Sequence, residues 1–248
     1  MVEQNLEYIK EELSGLGFKN IPEKEIADKL RLDPDKFQTE GAMRVSQKGK
    51  MEDVLYGIFF KKYERQDMYH AYAYQATLKN DPAKTQLFRI SFNNDFTLPE
   101  AFNLLNSRAV HKLILDQKTS KLSTAWFQMD FNARDVHGNY KVDQVKINDR
   151  GYLVGVLLNK HPIREIQDPK RLSTIVSALY QGNAEPVTLL RNGKEIHAFV
   201  QAAPRRNGID FYTANNKVLG LDKNGRERTA GKIMEGLPGR RKGRGRAF

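Results

Sequence analysis

Three runs dense in aromatic and β-branched residues, DVLYGIFFKKY (53–63), DMYHAYAYQATLK (67–79) and TQLFRISF (85–92), follow one another with only short polar links such as ERQ and NDPA between them. Residues of this kind suit a pleated, half-buried surface. Links this short cannot carry a crossover helix, so neighbouring strands must run antiparallel. Residues 37–96 are therefore expected to form an antiparallel β meander. In its second strand, strict alternation puts Tyr69, Ala71, Ala73, Gln75 and Thr77 on one face and Met68, His70, Tyr72, Tyr74, Ala76 and Leu78 on the other, inward one.

Ahead of the meander the period is helical. Leu6, Ile9, Leu13 and Leu16 recur at spacings of three and four, and Gly15 and Gly17 end the stripe. Pro22 opens a second short helix with Ile26 and Leu30 on one face, and DPD at 33–35 breaks it. Residues 1–36 thus read as a helical N-terminal segment.

After the meander a motif occurs twice. Thr97 and Glu100 make a capping box with Pro99 early in the helix, and Asp168 with Pro169 opens a second helix carrying Leu172, Ile175, Val176 and Leu179, stopped by Gly182. Each helix precedes a hairpin whose second strand reads AWFQ (125–128) or AFVQ (198–201), and then one more strand, within HGNYKV or NGIDFY. The second hairpin turns at Asn192-Gly193. Between the two lies GYLVGVLLNK (151–160), read as a short buried helix. Residues 97–219 are expected to form tandem, related helix-plus-three-strand (αβββ) units, and 220–248 a flexible, disordered basic tail. The fold class is α+β.

Charge is where composition matters. The net charge is +11, and it is uneven: residues 1–40 carry ten acids and six bases, residues 201–248 twelve bases and four acids. An acidic head and a basic end suit a protein that meets a polyanion through its C-terminal part. The absence of cysteine removes disulfides, thiol nucleophiles and Cys-bearing zinc sites together. The acidic, amphipathic start and the lack of any apolar run of membrane length predict a soluble, cytoplasmic protein without membrane contact.

Catalytic patterns are missing. GRRKGRGRAF has glycines but no strand before it and no helix after it, so it is not a dinucleotide fingerprint. The five histidines stand far apart, and Asp135 with His137 reads as a polar turn. The acids of DPDK (33–36), DPAK (81–84) and DPK (168–170), the only nuclease-like signal, are explained by turn and cap chemistry. The expectation is a non-enzyme with no cofactor and no metal.

What remains is binding. Arg240, Arg241, Lys242, Arg244 and Arg246 crowd the last nine residues with glycines among them, so their guanidinium and ammonium groups can follow a phosphate path. Arg205 and Arg206 in PRRNG, and Lys61, Lys62 and Arg65 in KKYER, add basic turns and strand ends. Trp126, the sole tryptophan, alternates onto a face with Thr124, Gln128 and Asp130. It is either a platform for stacking or partner contact, or is buried against the neighbouring helix or repeat.

The segments TLPEAFNLLNSRAV (97–110), AWFQMDF (125–131), KHPIREIQDP (160–169) and GNAEPVTLLRNGKEIHAFVQAAP (182–204) resemble uncharacterised basic proteins encoded on conjugative and mobilisable elements of Bacteroidetes. In that family an AWVQLDF-bearing unit precedes PIKEL and then a segment ending EANP, where this chain has QAAP at 201–204. The stretch at 119–128 is also similar to a short domain on those elements, in places beside topoisomerase-like regions. The resemblance spans about Leu6 to Leu219 and implies a mobile-element context, with no chemistry to carry over.

The expected function is a non-catalytic nucleic-acid-binding accessory protein of a mobile genetic element, DNA before RNA. The alternative is a protein-interaction or inhibitor module that uses exposed strands and Trp126. A metal-dependent nuclease ranks third.

Overall fold

The computed structural model describes residues 1–47, 49–63, 67–91, 95–115, 121–145, 147, 151–191, 193–215 and 217–219. The chain is a mixture of helices and antiparallel sheets. Two helices come first, α1 (Val2–Gly15) and α2 (Glu23–Leu32), followed by strands β1 (Lys36–Gln47), β2 (Lys50–Lys62), β3 (Tyr69–Leu78) and β4 (Asp81–Arg89) in one sheet of sequential order. The inward faces of that sheet bury Val54, Tyr56, Ile58 and Phe60 against Ile9 and Leu13 of α1 and Ile26 and Leu30 of α2. Phe18, in the turn after α1, presents its edge to Tyr56 and Tyr74 at centroid distances of 5.0 and 5.3 Å.

β1 has no counterpart among the strands named from the sequence. Its inward residues, Phe37, Thr39 and Met43, alternate with exposed Gln38, Glu40 and Arg44 and are too varied to stand out. Its pairing with β2 nevertheless runs unbroken from Lys36↔Lys61 to Gln47↔Lys50. The alternation expected for β3 needs a correction. A bulge between Phe59 and Phe60 pairs Phe59 with Ala73 but Phe60 with Ala71. The extra residue flips the faces, so Tyr69 and Ala71 point inward alongside Tyr74, Ala76 and Leu78. His70 and Tyr72 are thereby turned to the outer face.

Helix α3 (Leu98–Leu105) carries the expected capping box: the Thr97 hydroxyl accepts from the Glu100 N–H at 3.3 Å, and the Glu100 carboxylate accepts from the Thr97 N–H at 2.9 Å. It is buried nearly all round, and Leu98, Phe102 and Leu105 share one core with the meander. β5 (Val110–Leu115), β6 (Leu122–Arg134) and β7 (Tyr140–Val145) form a second antiparallel sheet. α4 (Val154–Leu158) follows, in the stretch expected to be helical, and then α5 (Pro169–Tyr180), capped by Asp168 accepting from the Lys170 N–H at 2.9 Å. β8 (Glu185–Arg191), β9 (Lys194–Ala203), β10 (Gly208–Tyr212) and the short β11 (Val218–Leu219) make the third sheet, antiparallel throughout. Its core joins Val187, Leu189, Val200 and Phe211 to Ile175 and Leu179 of α5 and to Trp126. Among the described residues no helix is long and apolar enough to cross a membrane.

Candidate nucleic-acid interface

The basic residues singled out from the sequence divide into three groups. Arg240, Arg241, Lys242, Arg244, Arg246 and Arg65 lie outside the described residues. Lys62, Arg205 and Arg206 already hold acids. The Lys62 ammonium sits 2.6 Å from Asp33 and 2.5 Å from Asp67 and over the Tyr69 ring, and these carboxylates, Asp33 first, push its pKa further up. Asp33, the residue that ends α2 with φ 48°, is held below the usual carboxylate range by Lys62 and then by the Tyr69 hydroxyl. Arg205 pairs with Asp143 at 3.3 Å and Arg206 with Asp210, both from a 3-10 turn, Pro204–Arg206, that joins β9 to β10. Pairs this exposed are individually weak, so a phosphate can exchange for the carboxylate, but it must displace it.

Lys61 is different. It stands on the outer face of the meander, which none of the described helices covers, with its ammonium 5.9 Å from the centroid of the Tyr72 ring. Its cross-strand partner on β1 is another exposed cation, Lys36, and its partner on β3 is His70. One rung along, Gln38, Phe59, Ala73 and Arg89 form a row straight across the four strands. Phe59 and Tyr72 lie 6.3 Å apart with their planes 47° from parallel, each half-buried, so neither ring covers the face of the other. Among the described residues, Lys36, Lys61 and Arg89 make no ion pair with an acid. Like charges directly opposite on a sheet are destabilising, and Lys36 and Lys61 are so placed. Carboxylates on this face are Glu40, opposite Gly57, and Asp53, which Lys79 engages at 2.8 Å and Arg44 at 3.5 Å.

His70 is stacked on Tyr63 at 4.0 Å, and its pKa is lowered by burial and then by Lys61. The bulge brings His70 and Tyr72 to this face. Strict alternation would have put Tyr72 in the core, and nothing in the sequence marks the register shift. Only Lys61 of the group was legible beforehand.

Trp126 is corrected from candidate platform to core residue. It is 2% exposed, enclosed by His111, Tyr152 and Tyr180 at ring distances of 5.0, 5.2 and 5.4 Å. Its neighbours in alternation look polar, but α5 and the Tyr152 segment close over the indole. The Tyr152 hydroxyl is spent elsewhere, donating to the Gly208 carbonyl at 2.7 Å and accepting from the Ala203 N–H at 2.9 Å.

Of the acids in the metal-like patterns, Asp33 and Asp81 pair with Lys62 and Lys84, while Asp168 and Asp135 serve the backbone. Asp135 accepts from the N–H groups of His137 and Asn139, each at 2.9 Å, which closes the β6–β7 turn. Among the described residues no three His, Asp or Glu side chains converge into a group able to hold a metal ion. The chain matches no family model, no curated protein and no solved structure.

Proposed function

We propose that this protein is a non-catalytic nucleic-acid-binding accessory protein of a mobile genetic element, acting in the cytoplasm on DNA before RNA. The single observation that carries the reading is the charge distribution: twelve bases against four acids in residues 201–248, in a chain whose first forty residues are net acidic. Phosphate is the polyanion that clustered arginines grip in pairs of hydrogen bonds, without reading sequence. The mobile-element context rests on the sequence resemblance alone. We also read residues 97–219 as two related αβββ units. In support, each has a capped helix followed by strands in meander order, three after α3 and four after α5 with the short β11 last, and AWFQ and AFVQ lie in the second strand of each.

The test is binding of the full chain and of a 1–237 truncation to labelled single- and double-stranded DNA and RNA at two salt concentrations. The expected result is that truncation removes most of the affinity together with about four to five units of the log K against log salt slope, one per tail base. Failure of the full chain to bind any of the four ligands at low salt overturns the reading.

One observation favours the second reading, a protein-interaction or inhibitor module. Leu113, Leu115 and Leu122 are 44, 39 and 65% exposed at one end of the β5–β6 hairpin, where Leu115 pairs with Leu122. A partner seated there would bind with little dependence on salt, whereas phosphate contacts weaken steeply.

A further inference from the structure

We infer that the outer face of the meander is a stacking site for single-stranded nucleic acid, with bases on Phe59 and Tyr72 and phosphates on Lys36, Lys61 and Arg89. The inference rests on the nucleic-acid reading above and adds to it a site and a substrate class. Three features converge on that occupant. Two partly exposed aromatic rings lie side by side on this face of the sheet without stacking on one another. Cations flank them, Lys36 and Lys61 on one side and Arg89 across the sheet on β4. Lys36 and Lys61 repel each other without an intervening acid, a cost that a bound phosphate relieves.

Single strands fit and duplexes do not. In a duplex the bases are stacked on their own neighbours, and a flat sheet meets only phosphates. Bases of a single strand can lie on aromatic side chains while the backbone runs past the cations. The tail, by contrast, needs only a phosphate path and serves either form. A protein strand laid on the same face would gain from the rings but would have no use for three cations that pair with no acid among the described residues.

The experiment compares the full chain with Phe59→Leu/Tyr72→Leu, Lys36→Gln/Lys61→Gln and Glu40→Lys. Each is titrated with a labelled oligo-dT, an oligo-rU and a duplex, at two salt concentrations, after urea unfolding has shown the variant to be folded. Loss of two stacking contacts should weaken single-strand binding about 10- to 100-fold, with the duplex affinity and the salt slope unchanged. The lysine pair should lower the salt slope for single strands by about one to two units. Glu40→Lys, which adds a cation beside Gly57 on the same face, should tighten single-strand binding and cannot do so by misfolding. Whichever of oligo-dT and oligo-rU responds identifies the preferred single strand.

Single-strand affinities identical to the parent's in the leucine and Glu40→Lys variants overturn the inference while leaving the tail reading intact. A parent chain that binds none of the ligands overturns both. Self-association that the leucine variant abolishes assigns the face to a second copy and also overturns it.

Discussion

The side-chain amide of Gln86 pairs reciprocally with the main chain of Tyr140, its Nε2 donating to the Tyr140 carbonyl at 3.1 Å and its Oε1 accepting from the Tyr140 N–H at 2.7 Å. The geometry imitates one rung of a β ladder, with a side chain standing in for a strand. Beside it, the Leu87 N–H donates to the Asn139 side chain at 3.1 Å, and the Tyr140 hydroxyl donates to the Ala83 carbonyl at 3.1 Å. The open edge of β4 is joined in this way to β7, and the first sheet to the second, without any continuous strand pairing.

Replacing Gln86 with leucine keeps the bulk and strands two main-chain groups of Tyr140. Each buried group left without a partner costs about 1–3 kcal/mol, so a loss of about 2–6 kcal/mol is expected in urea unfolding. Hydrogen exchange of the Tyr140 amide should accelerate in the variant by more than global stability explains. Unchanged exchange there would show that the rung contributes nothing.

A second junction is built on Asn103, whose Nδ2 donates to the Gln181 carbonyl at 2.7 Å, at the end of α5, and to the Asn183 side chain at 2.9 Å. Its Oδ1 accepts from the Arg108 guanidinium, whose pKa burial lowers to about 10. The guanidinium thus stays charged at neutral pH. A Cβ at Gly182, where φ is +85°, would come 2.9 Å from the Ala109 carbonyl and 3.0 Å from the Asn103 Cβ. Asn103→Ala and Gly182→Ala should each cost about 1–3 kcal/mol. The two act on the same contact, so the double variant should lose less than the sum. Full additivity would refute a shared junction.

Glu12 gives the fold a pH dependence of definite sign. Burial against β3, only partly offset by the Ala71 N–H at 2.9 Å and reinforced by Asp95, raises its carboxyl from 4.5 to about 7. The folded state therefore holds this proton more tightly than the unfolded chain does. Its contribution is neutral below about pH 4.5, turns unfavourable as pH rises, and is complete above about pH 7. The shift amounts to about 3 kcal/mol at face value and about half that once the carboxylate's access to water is allowed for. Glu12→Gln should gain about 1–2 kcal/mol at pH 8 and almost nothing at pH 4. Equal effects at both pH values would sink the assignment.

Burial of the single tryptophan makes it a clean reporter. Trp126 should emit to the blue of free tryptophan and resist quenching by acrylamide, and saturating nucleic acid should not change either property. Trp126→Ala should cost about 3–5 kcal/mol through the cavity it leaves. Strong quenching by acrylamide, or by DNA, would restore the indole to the surface.

Much of the fold is local and was legible as such. The Thr97–Glu100 box, the Asp168 cap, the Gly182 stop and the tight β8–β9 hairpin, in which Arg191 pairs with Lys194, depend on residues within a turn of one another, and their chemistry admits few alternatives. Short links made the antiparallel order of the sheets nearly unavoidable. The candidate site was legible only in part, because the tail bases and Lys61 announce themselves by charge while Tyr72 was assigned to the core.

The sequence by itself determined most of the helices and strands, though not β1, and the uneven charge, since propensity, capping and formal charge are properties of short stretches. Tertiary structure decided everything that depends on what lies across from a residue. The bulge opposite Phe59 sends Tyr72 outward, α5 closes over Trp126, and α3 enters the core of the meander. Asp143 and Asp210 neutralise Arg205 and Arg206, while Lys36 and Lys61 are left facing each other. Burial, register and ion pairing are relations between distant segments, and a period-two pattern reads the same whichever face the partner strand shifts by one residue.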